Sequence, residues 1–488
     1  MATRLQMLNS PKAAFLLSLI VLLGFLAVTL PSMGAGTFKI RDEYTTLDRA
    51  NAVHVRGDYL AVYSENIPSF RKPPLHYWMS AAFLDLGLAP NLSARLPSFL
   101  FGLGTVVLTG WLALLILPNR PIVQPVAMAL MAANAGFLAS SGAAMLDTGM
   151  TFFGLAAVVG LLLALRDPRW WYLAGLACGL GSLQKAPAAL LATAICGLML
   201  WALTRFGGLR LRPGAFGRHF ALASILALAV FLSWPVLQWI QFGFDAVKQA
   251  YLVEMLQRFS PLPTDSGKTH AAFQKYLLDD DGLFRVPAIL AMISLPLVLK
   301  RRELWILPAL FVLYAVVVGL AKGATFPRYS LYFVPYLAAS LAVGLVHTLR
   351  SLPLALAISA LFCVQNIPQY EPSWKDSAFD DDLVRIVDAF HRDTLPETSL
   401  ILCDWRPDET RRIPPGMFSV RSGSLRPLYT LPTPEAINGI AQRGATSSQV
   451  QGLCSHAQLR ELSPYLDNLQ LRANYGSHVN FTADITPP

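Results

Sequence analysis

Asp42 and Glu43 form an acidic pair, and about thirty residues later the chain reads Arg71-Lys72-Pro73-Pro74-Leu75-His76-Tyr77-Trp78. Carboxylates accept protons or bind cations, whereas Lys and Arg hold phosphate oxygens, Lys as a point charge and Arg through its planar fork. A loop carrying both can hold a phosphate ester and activate a hydroxyl beside it. Further along the chain, the residues of the same kind are Asp147, Lys185, Glu254, Arg258, His270, Lys322, Arg328 and Tyr329. What these residues can do together depends on the elements that position them.

Those elements are apolar. The chain has 488 residues, of which 54% are hydrophobic and 14% charged, and long stretches carry no charge at all. Such runs occur at 13–30, 96–117, 121–146, 148–165, 170–184, 186–204, 219–244, 286–299, 304–321, 329–349 and 351–368. They predict about eleven membrane-spanning helices, most near the ~20 residues a bilayer requires. The apolar stretch 74–90 contains Asp85 and two prolines, so it reads as an interfacial helix leading into the next span. The first run can alternatively be read as a cleaved signal peptide, because small residues follow Pro31.

The formal charge of +9 does not mark a nucleic-acid binder, because the basic residues are scattered through short loops. They sit in alternate loops instead: Arg4 and Lys12, Arg120, Arg166 and Arg169, Arg205 to Arg218, Lys300 to Arg302, and Arg350. The positive-inside rule puts those loops and the N-terminus in the cytoplasm. The opposite face receives loop 31–95, the turns at Asp147 and Lys185, loop 245–285, turn 322–328 and everything after about 369. Every polar residue named above therefore falls on one, extracytoplasmic face. Ionisable groups at span ends are costly to desolvate, so a set of them on one face predicts a site. Taken singly, Asp147 or Lys185 reads rather as a solvated turn residue; the whole set on one face does not.

From about residue 370 the composition turns polar, and Asp380 to Phe390 has helical periodicity while Ser399-Leu400-Ile401-Leu402 reads as a buried strand. A small α/β domain over 369–488 follows, after a transmembrane domain over 1–368. It either caps the site and helps bind an acceptor, or contributes stability alone. Cys178, Cys196 and Cys363 lie in apolar spans as packing residues, while Cys403 and Cys454 are either a disulfide or two free thiols.

The sequence resembles the GT-C class of membrane glycosyltransferases, nearest the bacterial branch of lipid A aminoarabinose transferases and protein O-mannosyltransferases. The resemblance rests on Asp42-Glu43, Gly57-Asp58-Tyr59, Lys72 to Trp78, Arg95-Leu96-Pro97-Ser98, Asp147 with Phe152-Phe153, and Leu183-Gln184-Lys185-Ala186-Pro187. It continues through Glu254 to Phe259, His270 and Arg328-Tyr329, and covers roughly residues 1–350. It implies an enzyme of the inner membrane that takes a sugar from a polyprenyl-phosphate (undecaprenyl-phosphate) donor and transfers it, with inversion, to an acceptor on the periplasmic face. The acceptor would be lipid A, another glycan or a protein, and the chain would act as a monomer.

By the same resemblance Asp42, with Glu43, is the catalytic carboxylate of the first loop and Asp147 a second acidic residue of the cavity. Lys72, Arg258 and Tyr329 hold the donor phosphate, with Lys185 and Arg328 in the same basic pocket. His76 and Glu254 line the cavity. A divalent metal is an option, with Glu254 and His270 as its ligands. Two departures stand out. The family's Arg-Tyr pair after Asp-Glu is replaced by Tyr44-Thr45-Thr46, and its Lys-Gly-Pro turn by Lys185-Ala186-Pro187. A lipid-linked-sugar transporter or flippase would share many spans and intramembrane charges, although its polar residues belong near the midplane. A non-catalytic relative that only binds the donor is the third reading.

Overall fold

The computed structural model describes residues 10–34, 41–64, 67–70, 72–185, 188–209, 216–248, 284–320, 327–349, 352–367, 399–403, 428–430, 449–476 and 478–485. Its helices are α1 (Pro11–Gly34), α2 (Arg41–Arg56), α3 (Leu75–Asp85), α4 (Pro90–Ile116), α5 (Val123–Ala132), α6 (Ala135–Ser141), α7 (Leu146–Ala164) and α8 (Trp171–Lys185). They continue as α9 (Ala188–Arg205), α10 (Arg218–Phe242, followed by the single helical turn Phe244–Lys248), α11 (Arg285–Val298), α12 (Ile306–Leu320), α13 (Val334–Thr348) and α14 (Leu352–Asn366). The chain packs into two compact units. One comprises Met1–Met33, Phe70–His76 and Arg95–Pro372; the other comprises Gly34–Ser69, Tyr77–Ala94 and Ser373–Pro488.

In the first unit each of the eleven apolar runs contains a helix. Among the described residues, five helical stretches are long and apolar enough to cross a membrane: α1, α4, α7, α10 and Arg328–Thr348, which ends in α13. A sixth results if α5 and α6, bent by 73° at their break, count as one span. The other runs hold shorter helices such as the 14-residue α11, whose rise of about 21 Å falls short of the ~30 Å hydrocarbon core. Asn134 sits at the α5–α6 break, where its side chain accepts the Phe137 N–H at 2.9 Å and caps α6.

α4 begins at Pro90 rather than at Arg95, because Pro suits the first turn of a helix, where its missing N–H costs nothing. Arg95 is thereby drawn inside the helix, fully buried, and donates to Ser32 O at 2.7 Å. The Phe25 ring packs between Phe99 and Phe137, with centroids 6.1 Å away on both sides.

Between lipid-soluble helices no hydrophobic force discriminates protein from lipid, so close backbone approach carries the packing. Glycines supply it here. A Cβ on Gly160 of α7 would stand 2.8 Å from Ala174 N of α8, and one on Gly175 of α8 would stand 2.4 Å from Ala223 O of α10. On Gly154 it would meet the Tyr332 ring, at 2.4 Å from the nearest carbon. α7, with 17 of its 19 residues buried, is the central post against which these neighbours lean.

The second unit contains α2, a helix the apolar pattern did not reveal. Its acidic first turn (Asp42, Glu43) and its last turn with His54 and Arg56 both complement the helix dipole. Tyr44, Leu47, Ala50 and Val53 are buried at helical spacing, which gives α2 its inner face. Arg49 donates to Tyr77 Oη at 2.7 Å and lies 5.3 Å from that ring's centroid. Asp85 at the end of α3 accepts hydrogen bonds from Tyr59 and His54.

This unit also holds a two-stranded antiparallel ribbon of β1 (Tyr63–Ser64) and β2 (Ile67–Pro68), and its C-terminal part is a five-stranded sheet in the order β4-β3-β5-β7-β6, from β3 (Ser399–Leu402), β4 (Leu428–Thr430), β5 (Gln449–Ser455), β6 (Leu466–Tyr475) and β7 (His478–Ile485). β3 runs parallel to β4 and β5, and β7 runs antiparallel to β5 and β6. The strand expected at Ser399–Leu402 is β3; the helix expected at Asp380–Phe390 lies outside the described residues. α15 (His456–Leu462) opens with a capping box between Ser455 and Gln458. Cys403 and Cys454 are joined in a disulfide across β3 and β5, which decides between the two readings of these thiols.

Replacing Gly175 by Leu must push α8 off the α10 backbone, and we expect a loss of about 1–3 kcal/mol in detergent unfolding titrations. Gly24→Ala, where a Cβ meets nothing within 4 Å, is the control and should leave the curve in place. Equal behaviour of the two variants would contradict the glycine-mediated packing.

Candidate functional site

Asp147 lies in the first turn of α7, where a carboxylate complements the exposed N–H groups of the helix end. Its side chain is enclosed, and two cations converge on it. Lys185, the last residue of α8, sets Nζ 2.5 Å from Oδ1, and Arg328 sets Nε 3.6 Å from Oδ2. Tyr329 presents its ring 4.9 Å from the same Lys185 Nζ, close enough for a cation–π contact. Three elements that are distant in sequence therefore share one charged cluster: the start of α7, the end of α8 and the 3-10 turn Pro327–Phe333.

The polar groups around the start of α7 fix its position. Met145, its N-cap, has no side-chain cap. Ser98 of α4 serves instead: its Oγ accepts the Met145 N–H at 3.0 Å and donates to Met145 O at 2.8 Å. Thr148 Oγ1 donates to Ser140 O at 3.1 Å. Gln184, fully buried one residue before Lys185, donates from its amide nitrogen to Leu146 O at 3.2 Å and to His76 Nδ1 at 3.0 Å. A Cβ on Gly149 would meet that amide at 2.4 Å, so only glycine admits Gln184 here.

The exposure of the three charged side chains differs in a way that matters chemically. Asp147 keeps 3% of its side-chain surface, while Lys185 keeps 14% and Arg328 keeps 22%. From outside, the cluster presents cations; the carboxylate lies behind them as their anchor. Such an arrangement can receive an anion such as a phosphate, with Lys185 and Arg328 pre-oriented by Asp147.

Of the residues singled out in the sequence, the structure brings together Asp147, Lys185, Arg328 and Tyr329, with His76 joined to them through Gln184. Lys72 lies half-buried in the same compact unit, just before Pro73 and the start of α3. Asp42 and Glu43 belong to the other unit, at the N-terminus of α2, where Asp42 is exposed and Glu43 fully buried. Glu254, Arg258 and His270 lie outside the described residues. Among the described residues no group of three or more His, Cys, Asp or Glu side chains is placed to hold a metal.

Gln184 and Ser98 are the residues that sequence reasoning passed over as motif filler. A polar amide near the end of an apolar run, where hydrogen bonds must be found inside the protein, was the available signal. In the second unit, burial raises the Tyr59 pKa to about 12, helped by its hydrogen bond to Asp85. For Asp85 burial acts upward, but the bonds from Tyr59 and His54 outweigh it and hold the carboxyl below its ordinary value. A lowered carboxylate stabilises above its unfolded pKa, so this link weakens only as pH falls through the lowered value.

Residues 61–244 match the family model described as dolichyl-phosphate-mannose-protein mannosyltransferase (PMT). Over 213 residues the chain is 33% identical to the undecaprenyl phosphate-alpha-4-amino-4-deoxy-L-arabinose arabinosyl transferase of Pseudomonas paraeruginosa, covering 40% of this chain and 36% of that protein. The match thus spans little more than a third of the curated relative. Among solved structures, ArnT from Cupriavidus metallidurans bound to undecaprenyl phosphate aligns with a TM-score of 0.70 at 14% identity, over 95% of this chain and 97% of that one. The Archaeoglobus fulgidus oligosaccharyltransferase in its apo form aligns at 0.57 with 11% identity, over 91% and 69%. At such identities the structural likeness is one of fold.

If Asp147 anchors Lys185, removing the lysine leaves the enclosed carboxylate with Arg328 alone, and removing the carboxylate leaves two cations side by side. Asp147→Asn and Lys185→Gln should each cost about 3–5 kcal/mol, and the double variant clearly less than their sum. Strict additivity in the double-mutant cycle would mean that the pair does not act as a unit.

Proposed function

We propose that this chain, a membrane protein of the GT-C aminoarabinose-transferase and protein-mannosyltransferase type, transfers a sugar from a polyprenyl-phosphate carrier to an acceptor on the extracytoplasmic face. The observation that carries this reading is the cluster at the start of α7, whose enclosed Asp147 presents Lys185 and Arg328 outward as partly exposed cations. The similar Pseudomonas protein bears the name of an undecaprenyl-phosphate-sugar transferase, and the Cupriavidus structure was solved with undecaprenyl phosphate. Both fit a lipid phosphate as the anion received here.

In this reading the acceptor oxygen attacks the anomeric carbon from the side opposite the phosphate. The bond from that carbon to the phosphate oxygen breaks, and the electron pair leaves with the polyprenyl phosphate. Lys185 and Arg328, together with Lys72, Arg258 and Tyr329, stabilise the negative charge that gathers on the departing phosphate. Asp42 takes the proton when the acceptor is a hydroxyl, and its exposed position at the tip of α2 leaves it accessible for that role. Asp147 acts as a positioning residue. Because Tyr44-Thr45-Thr46 replaces the family's Arg-Tyr pair next to Asp42, the acceptor class stays open between lipid A, another glycan and a protein.

The extracytoplasmic assignment rests on two features. The arginine-rich loops lie at the ends of the spans opposite Asp147 and Lys185, and positive loops stay in the cytoplasm. The Cys403–Cys454 disulfide suits an oxidising compartment. One observation favours a transporter instead: the 73° break between α5 and α6, since broken helices mark transport sites. Asn134 at that break is buried and engaged in capping α6, which gives the bend a structural cause.

With purified protein and a radiolabelled undecaprenyl-phosphate sugar, Asp42→Asn should lower transfer by about 10²–10⁴-fold while donor still binds. Full activity would remove Asp42 from the mechanism. Lys72→Glu should instead weaken donor binding, and an unchanged affinity would count against the phosphate pocket. For orientation, alkaline phosphatase, which needs its own disulfides, should be active when fused after Pro488 and inactive when fused after Gly208. The reverse pattern would overturn the topology.

A further inference from the structure

One end of the first unit carries a cavity unrelated to the charged cluster. It encloses about 990 Å³ between α8, α9 and α10, and its walls are almost entirely apolar. Trp171, Gly175 and Cys178 line it from α8, Gly197 and Trp201 from α9, and Phe220 from α10. The volume lies at the upper end of the roughly 300–1,000 Å³ typical of small-molecule sites. Leu198, Trp201 and Leu228 on its walls are more than half exposed, so the groove opens sideways, toward where lipid would lie.

The α8 residues lining the groove belong to the half of that helix that starts at Trp171, whereas Lys185 closes the other end. A helix of 15 residues separates its ends by about 22 Å, so the groove mouth and the charged cluster face opposite sides of the bilayer. At that mouth the chain places exposed arginines. Arg205 follows Thr204 of the groove wall, Arg218 lies between Phe216 and Phe220, and Arg169 precedes Trp171 by two residues. The rim is aromatic as well. Trp171 lies 5.5 Å from Phe216 and 4.9 Å from Phe220 between centroids, and Tyr172 Oη donates to His219 Nδ1 at 3.3 Å. An apolar groove closed by aromatic rings and rimmed with arginines matches the two ends of one molecule, an acyl chain and an anionic headgroup.

We infer that the groove between α8, α9 and α10 holds an anionic phospholipid of the leaflet on the arginine-rich side, its acyl chain against Gly197 and Trp201 and its phosphate at Arg205 and Arg218. The site is independent of the transfer chemistry and lies one helix length from it. A Cβ on Gly197 meets nothing within 4 Å, so a large side chain there fills the groove without forcing the helices apart.

The test uses the full chain in phosphatidylcholine nanodiscs doped with either brominated-chain phosphatidylglycerol or brominated-chain phosphatidylcholine. Quenching of Trp201 is read as the difference from Trp201→Phe. Brominated phosphatidylglycerol should quench at lower doping than the zwitterionic lipid, by about fivefold for each rim arginine engaged. Arg205→Gln with Arg218→Gln should abolish that preference while quenching by both lipids persists. Gly197→Phe should cut quenching by either lipid, with unfolding unchanged. Equal quenching by the two lipids in the unsubstituted protein would mean ordinary boundary lipid and overturn the proposal, as would undiminished quenching in Gly197→Phe.

Discussion

A carboxylate enclosed at the start of a span has to be neutralised by residues of its own protein, since neither lipid nor distant solvent will do it. At an effective dielectric near 20, opposite charges at contact attract by about 4 kcal/mol, comparable to what desolvation takes away. Asp147 meets this constraint with Lys185 and Arg328, and through them the start of α7, the end of α8 and the turn before α13 are brought together. The neighbouring features serve the same geometry. Ser98 caps Met145, Gln184 bridges Leu146 to His76, and Gly149 makes room for the Gln184 amide. The glycines that let α7, α8 and α10 touch then fix the helices that carry these groups.

The constraint also explains the division of roles. A lone buried carboxylate would be a poor neighbour for a phosphate, but one matched against two cations becomes their anchor, and what reaches the outside is positive. Hydrogen-bond donors and charges held in advance of the reaction cost no reorganisation when charge develops on a leaving group. At the far end of α8 that helix joins α9 and α10 around an apolar groove with exposed arginines beside it. On the proposed reading, the two ends of one helix bundle would meet two kinds of lipid phosphate, a carrier and a bulk headgroup.

Much of this was legible from sequence. Hydrophobic runs located the long helices of the first unit among the described residues, because burial in lipid demands uncharged stretches that composition alone displays. Asp147, Lys185, Arg328 and Tyr329 could be grouped because the alternation of basic loops assigns span ends to faces. Sequence fared worse where short-range signals govern. α2 is amphipathic and half polar, so a search for apolar runs passed over it, although its charged ends obey the helix dipole. Helix type also escaped the pattern: the run at 329–349 opens in the 3-10 turn Pro327–Phe333, and α13 begins only at Val334. Pairing of Cys403 with Cys454, 51 residues apart, needed the parallel register of β3 and β5, which no local pattern encodes.

The central claim is that the cluster at the start of α7 receives the phosphate of a polyprenyl carrier. It is tested most directly by comparing the binding of undecaprenyl phosphate with that of undecaprenol, which has the same chain but no phosphate. Because hydrogen bonds to charged groups each contribute about 1.5–3 kcal/mol, the phosphate should bind more than about tenfold tighter, and Lys185→Gln should narrow that gap. Equal affinity for the phosphate and the alcohol would contradict the account.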